Sequence, residues 1–309
     1  MTPRVTVGLP VYNGERFLGE AIESILAQEF SDFELIISDN ASDDGTATIC
    51  ERYARRDRRV RFSRLESNRG GAGNYNRVFS LATGAYFKWA AHDDVLAPAH
   101  LKLCVAALDC DTAAVIAYPR TILIGEDGRE LREYADNMDL PFPRPSQRLR
   151  RVMRCLHEPN ALFGLIRADA LRRTRLMGRH FRSDYVLVEE LALLGRFREV
   201  PEPLFYRRMH PAMCCRANPT PRQQAAWFDP LNRNCRVLPW CRFTLEQLKA
   251  VRHVPMSRVE KARCYMAVAE DVLRRSGKRM ARELLCTAAR LDAREAGLET
   301  EQALETGHR

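Results

Sequence analysis

The chain has 309 residues, 46% hydrophobic and 29% charged, with a formal net charge of +9. That apolar share supports a sizeable core and excludes wholesale disorder, and no stretch is apolar over the length a membrane span needs. The ten cysteines are scattered with no Cys-x-x-Cys pair, which argues against a zinc knuckle or a disulfide framework and for reduced thiols acting as small hydrophobes.

In chain order, Arg4–Val11 reads as a buried strand and Glu15–Gln28 as a helix with Phe17, Leu18, Ala21, Ile22, Ile25 and Leu26 on one face. Phe33–Asp39 is a near-continuous apolar run, the pattern of a parallel strand covered on both faces. A helix over Asp44–Arg55, a strand at Val60–Leu65, a helix over Asn74–Ala82 and a strand at Tyr86–Ala91 follow, then a helix over Pro98–Leu108. This β-α alternation predicts a doubly wound sheet.

The second third predicts strands at Ala113–Tyr118, Thr121–Ile124, Ala161–Ile166, Phe197–Val200 and Leu204–Met209. Helices are expected over Gln147–Leu156, Arg167–Arg173 and Asp184–Leu194, with a proline-rich loop at 136–147. Beyond Pro219-Thr220-Pro221 the pattern is helical, with amphipathic stretches Met256–Arg274 and Arg279–Leu291 split at Ser276-Gly277 and a polar, frayed end over the last dozen residues. Three parts are therefore expected: 1–110, 111–219 and a helical C-terminal extension, 220–309. The first carries 13 Lys and Arg against 15 Asp and Glu, the second 19 against 14, and the third 17 against 11. The basic remainder suits an anionic lipid surface, a charged acceptor, another protein or simply solvent.

Polar and acidic residues gather where the predicted strands end, the edge at which open α/β sheets bind ligands. Pro10-Val11-Tyr12-Asn13-Gly14-Glu15 follows the first strand, Asp39-Asn40-Ala41-Ser42-Asp43-Asp44 the second, and His92-Asp93-Asp94 the last of the first third. Carboxylates clustered there suggest a divalent metal and a phosphorylated ligand. Asn68-Arg69-Gly70-Gly71-Ala72-Gly73 is glycine-rich without being a dinucleotide fingerprint or a Walker loop, and close backbone approach is the reason to expect glycines there.

Taken together, Pro10-x-Tyr12-Asn13-x-Glu15, Asp39, Ser42-x-Asp44, Asn68-x-Gly70, Asn76, Gly84 and Asp93-Asp94 resemble the family 2 glycosyltransferases over roughly residues 4–210. The resemblance implies a GT-A fold, a Rossmann-like, mostly parallel sheet flanked by helices. It also implies an inverting enzyme that moves a sugar from a nucleotide-diphosphate donor to an acceptor hydroxyl. The metal would be Mn2+ or Mg2+, held by Asp94 and, as a further ligand, by His210. Asp93 would hold the ribose or assist the metal. Pro10, Tyr12, Asn13, Glu15, Asn68, Arg69 and Asn76 would contribute to the donor site. Asp39 can accept a ring N3–H, which favours UDP or dTDP and leaves a guanine donor open. Asp184, at the start of a helix closed by Gly195, would be the base that deprotonates the acceptor, with Glu189 and Glu190 in reserve. The usual patterns have Asp-x-Asp where this chain has His92-Asp93-Asp94, and Glu-Asp where it has Ser183-Asp184.

The acceptor could be a saccharide, a lipid-linked saccharide or a small molecule, and no nucleic acid is expected. With no apolar signal region ahead of the first strand, the protein reads as cytoplasmic, with peripheral contact at the inner membrane face and a homodimer both left open. Two rivals stand beside this reading: a nucleotidyltransferase of related α/β fold, and a non-catalytic binding protein on the same scaffold.

Overall fold

The computed structural model describes residues 2–234 and 238–295. The frayed end expected over the last dozen residues, and Cys235, lie outside them. Through the first ninety residues β1 (Val5–Val11), α1 (Glu15–Leu26), β2 (Phe33–Asp39), α2 (Thr46–Arg56), β3 (Val60–Arg64), α3 (Gly70–Ser80) and β4 (Tyr86–Trp89) alternate. Next come β5 (Val95–Leu96), α4 (His100–Cys110), β6 (Ala114–Ile124), β7 (Glu130–Tyr134), α5 (Pro145–Cys155), a 3-10 turn at Asn160–Phe163, β8 (Leu165–Arg167) and α6 (Ala168–Arg172). Then α7 (Ser183–Leu194) leads into β9 (Arg196–Arg208). The remainder is helical: α8 (Cys214–Ala217), α9 (Pro221–Phe228), a 3-10 turn at Pro230–Asn234, α10 (Pro239–His253), α11 (Arg258–Asp271) and α12 (Gly277–Glu295).

One sheet carries the fold, in the order β3-β2-β1-β4-β8-β6-β9-β5, with β7 paired to β6. β1 to β4 are mutually parallel, and β6 and β9 are parallel, while β8 runs antiparallel between β4 and β6. All seven residues of β1 and of β2 are buried, because helices cover both faces. Leu18, Ile22 and Ile25 of α1 and Leu101, Cys104 and Leu108 of α4 fill one face. Val78 and Phe79 of α3 and Leu187, Val188 and Leu191 of α7 fill the other. Each such buried aliphatic side chain contributes about 1.5–3 kcal/mol.

The register pairs Val11 with Asp39 at the carboxyl ends of β1 and β2, so the two following loops lie side by side. α10 and α11 pack on α5 and α7 through Leu149, Met153, Leu193, Val251 and Val268. The C-terminal helices therefore buttress α7. Among the described residues no helix is long and apolar enough to cross a membrane.

The structure departs from the sequence expectations where long-range pairing overrides local punctuation. Pro119-Arg120 and Pro201–Pro203 each look like breaks, yet β6 and β9 run through them with irregular register against each other. β7 escapes the pattern because its residues are mostly exposed. α3 starts at Gly70, not Asn74, taking the glycines into its first turns. At Ser276-Gly277 the helix does not split: a π-helical turn at Val272–Ser276 joins α11 to α12. The span Ala161–Ile166 is a 3-10 turn followed by the shorter β8.

Candidate active site

The carboxyl ends of β1, β2 and β4 open into a cleft of ≈ 1680 Å³. Its floor begins with a clasp between two loops. Asn13, at φ 50°, accepts from the Asp43 N–H (3.1 Å), and its own N–H donates to Ser42 Oγ (2.9 Å). The Gly14 N–H donates to Thr46 Oγ1 (2.9 Å), and Glu15 Oε2 accepts from the Gly45 N–H (2.6 Å). Tyr12 stands 45% exposed at the rim. Asp39 is fully buried, its Oδ1 accepting from the Ser42 N–H (2.9 Å) and hydroxyl (2.5 Å). Asp39 Oδ2 makes no hydrogen bond, although the half-exposed Arg64 guanidinium lies 3.3 Å away.

Asparagines hold the neighbouring loop. Asn68 Oδ1 accepts from the Gly70 N–H (2.8 Å) and from Asn40 Nδ2 (3.0 Å), and the Arg69 N–H donates to Asn40 Oδ1 (2.9 Å). Gly70 sits at φ +73°, where a Cβ would also lie 2.5 Å from the Phe228 carbonyl, and a Cβ on Gly71 would meet the Trp227 ring. The glycines thus admit the backbone and indole of α9.

At the end of β4, Asp93 Oδ2 lies 2.8 Å from His210 Nε2, while Asp94 Oδ1 accepts from the Arg208 N–H (2.9 Å). Burial raises the Asp94 carboxyl, and the neighbouring Asp93 raises it further. Burial also works against ionised Asp93, but the positive field of His92 and the contact with His210 bring it below the usual carboxylate range. The His92 ring packs against Gly14, where a Cβ would meet it at 2.7 Å. Arg208 is buried and fully engaged: Nε donates to the Asp93 carbonyl (2.9 Å), Nη1 to the Glu126 carbonyl (3.1 Å) and Nη2 to Glu20 (2.6 Å). Arg207 reaches Glu158 and Asn160, both at 2.9 Å.

These groups fit a divalent cation by the chemistry of the donor set. Two adjacent carboxyl groups, one driven toward its neutral form by burial and then by the charge of the other, stand beside an imidazole. Among the described residues no group of three or more His, Cys, Asp or Glu is placed to hold a metal ion, so the protein's share here would be one or two carboxylates. Mg2+ and related ions take one or two carboxylates and complete their shell with water and phosphate.

Asp184 enters the same cleft from the first turn of α7. Its Oδ1 accepts from the Tyr185 N–H (3.0 Å), and burial pushes its carboxyl up to about 6. Tyr75, on the cleft wall, is raised by burial and then by the combined fields of Asp93, Cys214, Asp94 and Asp184. The three acids therefore share one electrostatic neighbourhood. α7 is anchored from behind: Gln247 of α10 donates to Glu189 (2.8 Å), and Arg175 joins Glu190 (2.5 Å) to Glu246 (2.6 Å).

Of the residues singled out in the sequence, Pro10, Tyr12, Asn13, Asn68, Asp93, Asp94, Asp184 and His210 line the cleft. Glu15, Asp39, Arg69 and Asn76 do not. Glu15 and Asp39 sit in the loop clasp, Arg69 is exposed, and Asn76 uses both amide atoms on the Met177 backbone (2.9 and 3.0 Å). The sequence reading does not single out Arg182, Arg279 or Arg282 as cleft residues. A weak signal exists for Arg182, since it lies two residues before Asp184.

Comparisons with known proteins bear on the whole arrangement. The model of the family described as Glycosyl transferase family 2 matches residues 6–171, more than half of the chain. The putative glycosyltransferase EpsE of Bacillus subtilis (strain 168) is 40% identical over 108 residues, 35% of this chain and 39% of that one. The chain spans about two fifths of the length of such curated relatives. Among solved structures, S. aureus TarS 1–349 in complex with UDP-GlcNAc superposes with a TM-score of 0.61 at 19% identity, covering 88% of this chain and 72% of that one. The mannosyltransferase PcManGT of Pyrobaculum calidifontis, in complex with GDP-Man and Mn2+, superposes with a TM-score of 0.56 at 19% identity, covering 99% and 83%. At these identities the structural likeness is one of fold.

Proposed function

The chain belongs to glycosyl transferase family 2, and from that premise we propose that it moves a sugar from a nucleotide-diphosphate donor to an acceptor hydroxyl with inversion at the anomeric carbon. The observation that carries this reading is the meeting of Asp93, Asp94, His210 and Asp184 in one cleft at the strand ends. The donors bound in the two structural neighbours, UDP-GlcNAc and GDP-Man, agree with a nucleotide sugar as the class of ligand.

The base lies over the clasp between the β1–α1 and β2–α2 loops. Tyr12 offers an exposed ring for stacking. Asp39 Oδ2, free of hydrogen bonds, accepts a ring N3–H once the Arg64 side chain swings aside, which favours uracil or thymine. Asp94, with Asp93 and His210 beside it, would hold Mn2+ or Mg2+, which when bound would offset the charge of the departing diphosphate. Asp184 takes the proton of the acceptor hydroxyl, which then attacks the anomeric carbon from the face opposite the diphosphate. A carboxyl raised to about 6 suits that task near neutral pH. Asn76 and Gln247 orient the surrounding backbone and helix and do not touch the reacting atoms.

A thermal-shift series with UDP, dTDP and GDP sugars, each with and without Mn2+, tests this. Stabilisation by one uridine or thymidine donor that requires the metal, and that is weakened about tenfold in Asp39→Asn, is the expected result. No response to any nucleotide sugar overturns it.

A further inference from the structure

The cleft has a second half that this chemistry leaves unused. The N-terminus of α7 and the helices α9, α10 and α12 bring Arg182, Arg222, Arg279, Arg282 and Trp240 to its wall. The Arg182 guanidinium lies 4.5 Å from the Tyr185 ring centroid and 5.0 Å from that of Trp240, and the Arg279 guanidinium lies 4.4 Å from the same indole. One tryptophan therefore carries two cations.

Three other arginines of the cleft are neutralised, Arg207 by Glu158, Arg208 by Glu20 and Arg16 by Glu126. Among the described residues, Arg222, Arg279 and Arg282 form no ion pair with a carboxylate, and Arg182 forms none at contact distance, although its field reaches Asp184, Glu189 and Asp271. Glu283, one helical turn beyond Arg279, accepts from the backbone N–H groups of Trp240 and Cys241 (3.1 and 3.2 Å). Aromatic rings attract a guanidinium without cancelling its charge. Arg182 also adopts a left-handed backbone (φ 58°) that side chains with a Cβ rarely take. The fold thus accepts local strain at Arg182 and sets two guanidinium groups on one indole, an arrangement that an incoming anion stabilises.

We propose that the acceptor carries an oxyanion, a phosphate ester or a carboxylate, that seats between Arg182 and Arg279 beside Trp240 while its hydroxyl faces Asp184. The word acceptor rests on the glycosyl-transfer reading; the anion site does not. The donor's own diphosphate is assigned to the Asp93–Asp94–His210 end, so these arginines are left for the second substrate.

Isothermal titration of the full chain with glycerol 1-phosphate, glucuronate and uncharged methyl glucoside, each with and without saturating UDP and Mn2+, tests this. One of the anions is expected to bind at least about tenfold more tightly than methyl glucoside and to persist beside UDP. Arg279→Gln and Arg182→Lys are each expected to weaken it about fivefold. Which anion wins tells a phosphate-bearing from a carboxylate-bearing acceptor. Arg279 lies on an exposed helix face, so its variant serves if Arg182→Lys misfolds. Equal affinity for anion and methyl glucoside, loss of the anion on adding UDP, or indifference to Arg279→Gln overturns the proposal. Failure of UDP itself to bind overturns the transfer reading instead.

Discussion

His210 Nε2 and Asp93 Oδ2 lie 2.8 Å apart although 117 residues separate them in the chain. Phe17 packs on the imidazole with ring centroids 5.1 Å apart, so the histidine is held in one orientation. On the proposed reading, an imidazole oriented in this way would tune the carboxylate beside it. His210→Ala is expected to lower kcat/KM by about 10–100-fold and to raise the Mn2+ concentration at half-maximal activity. Initial rates across a metal titration check both.

On the proposed mechanism Asp184→Asn removes the acceptor's proton sink, so transfer should fall by about 10²–10⁴-fold while UDP affinity stays within a factor of about two. The pH profile carries a sign. The base works only when ionised, and burial holds its carboxyl up to about 6. The rate should therefore rise with pH through about 6 and level off above. Rates from pH 5 to 8 check this.

Glu189 predicts a stability effect at the same helix. Burial drives its carboxyl up to about 8 despite the Gln247 hydrogen bond. Its Oε2 and Gln247 Oε1 are both buried without a partner, and a proton on the acid satisfies the two together. A raised folded-state pKa means this stability is full below about 4.5, the ordinary carboxyl value, and is lost as pH rises to about 8. The span corresponds to roughly 3–5 kcal/mol. Glu189→Gln keeps the neutral pairing at every pH, so its Tm should exceed the parent's at pH 8 and match it near pH 4.5. Calorimetry at both values decides.

Gly70→Ala meets two obstacles at once, a positive φ and the Phe228 carbonyl 2.5 Å from the new Cβ. It should cost about 2–4 kcal/mol and loosen α9 from α3. Urea midpoints, with faster proteolysis within 221–234, check it.

Much of this site is legible in the sequence because strand ends deliver it. Asp39 and Asp93-Asp94 follow apolar runs whose direction is unambiguous once helices alternate with strands. Asp184 is readable from a helix bounded by Gly195. Other features arise from contacts with no local pattern. Nothing near Asn76 announces that Met177, 101 residues away, takes both of its amide atoms. Nothing in Gly70-Gly71 announces Trp227 as the group they admit. The joining of two predicted strand pairs into β6 and β9 follows from mutual hydrogen bonding across bulges, which outweighs the local prolines. Arg182 escapes notice because the rings around it come from α7, α10 and the turn before α7, and only folding assembles them.

The chain passes from His210 straight into α8 and α9, whose Trp227 and Phe228 rest on α3 at Gly70 and Gly71. The imidazole at the carboxylates and the indole over the nucleotide loops are thus two ends of one short tether. On the proposed reading the cation meets one end of this segment and the donor the other, so the same stretch of chain would register both. Amide exchange across 210–230 should accordingly slow as a block when UDP and Mn2+ are added together.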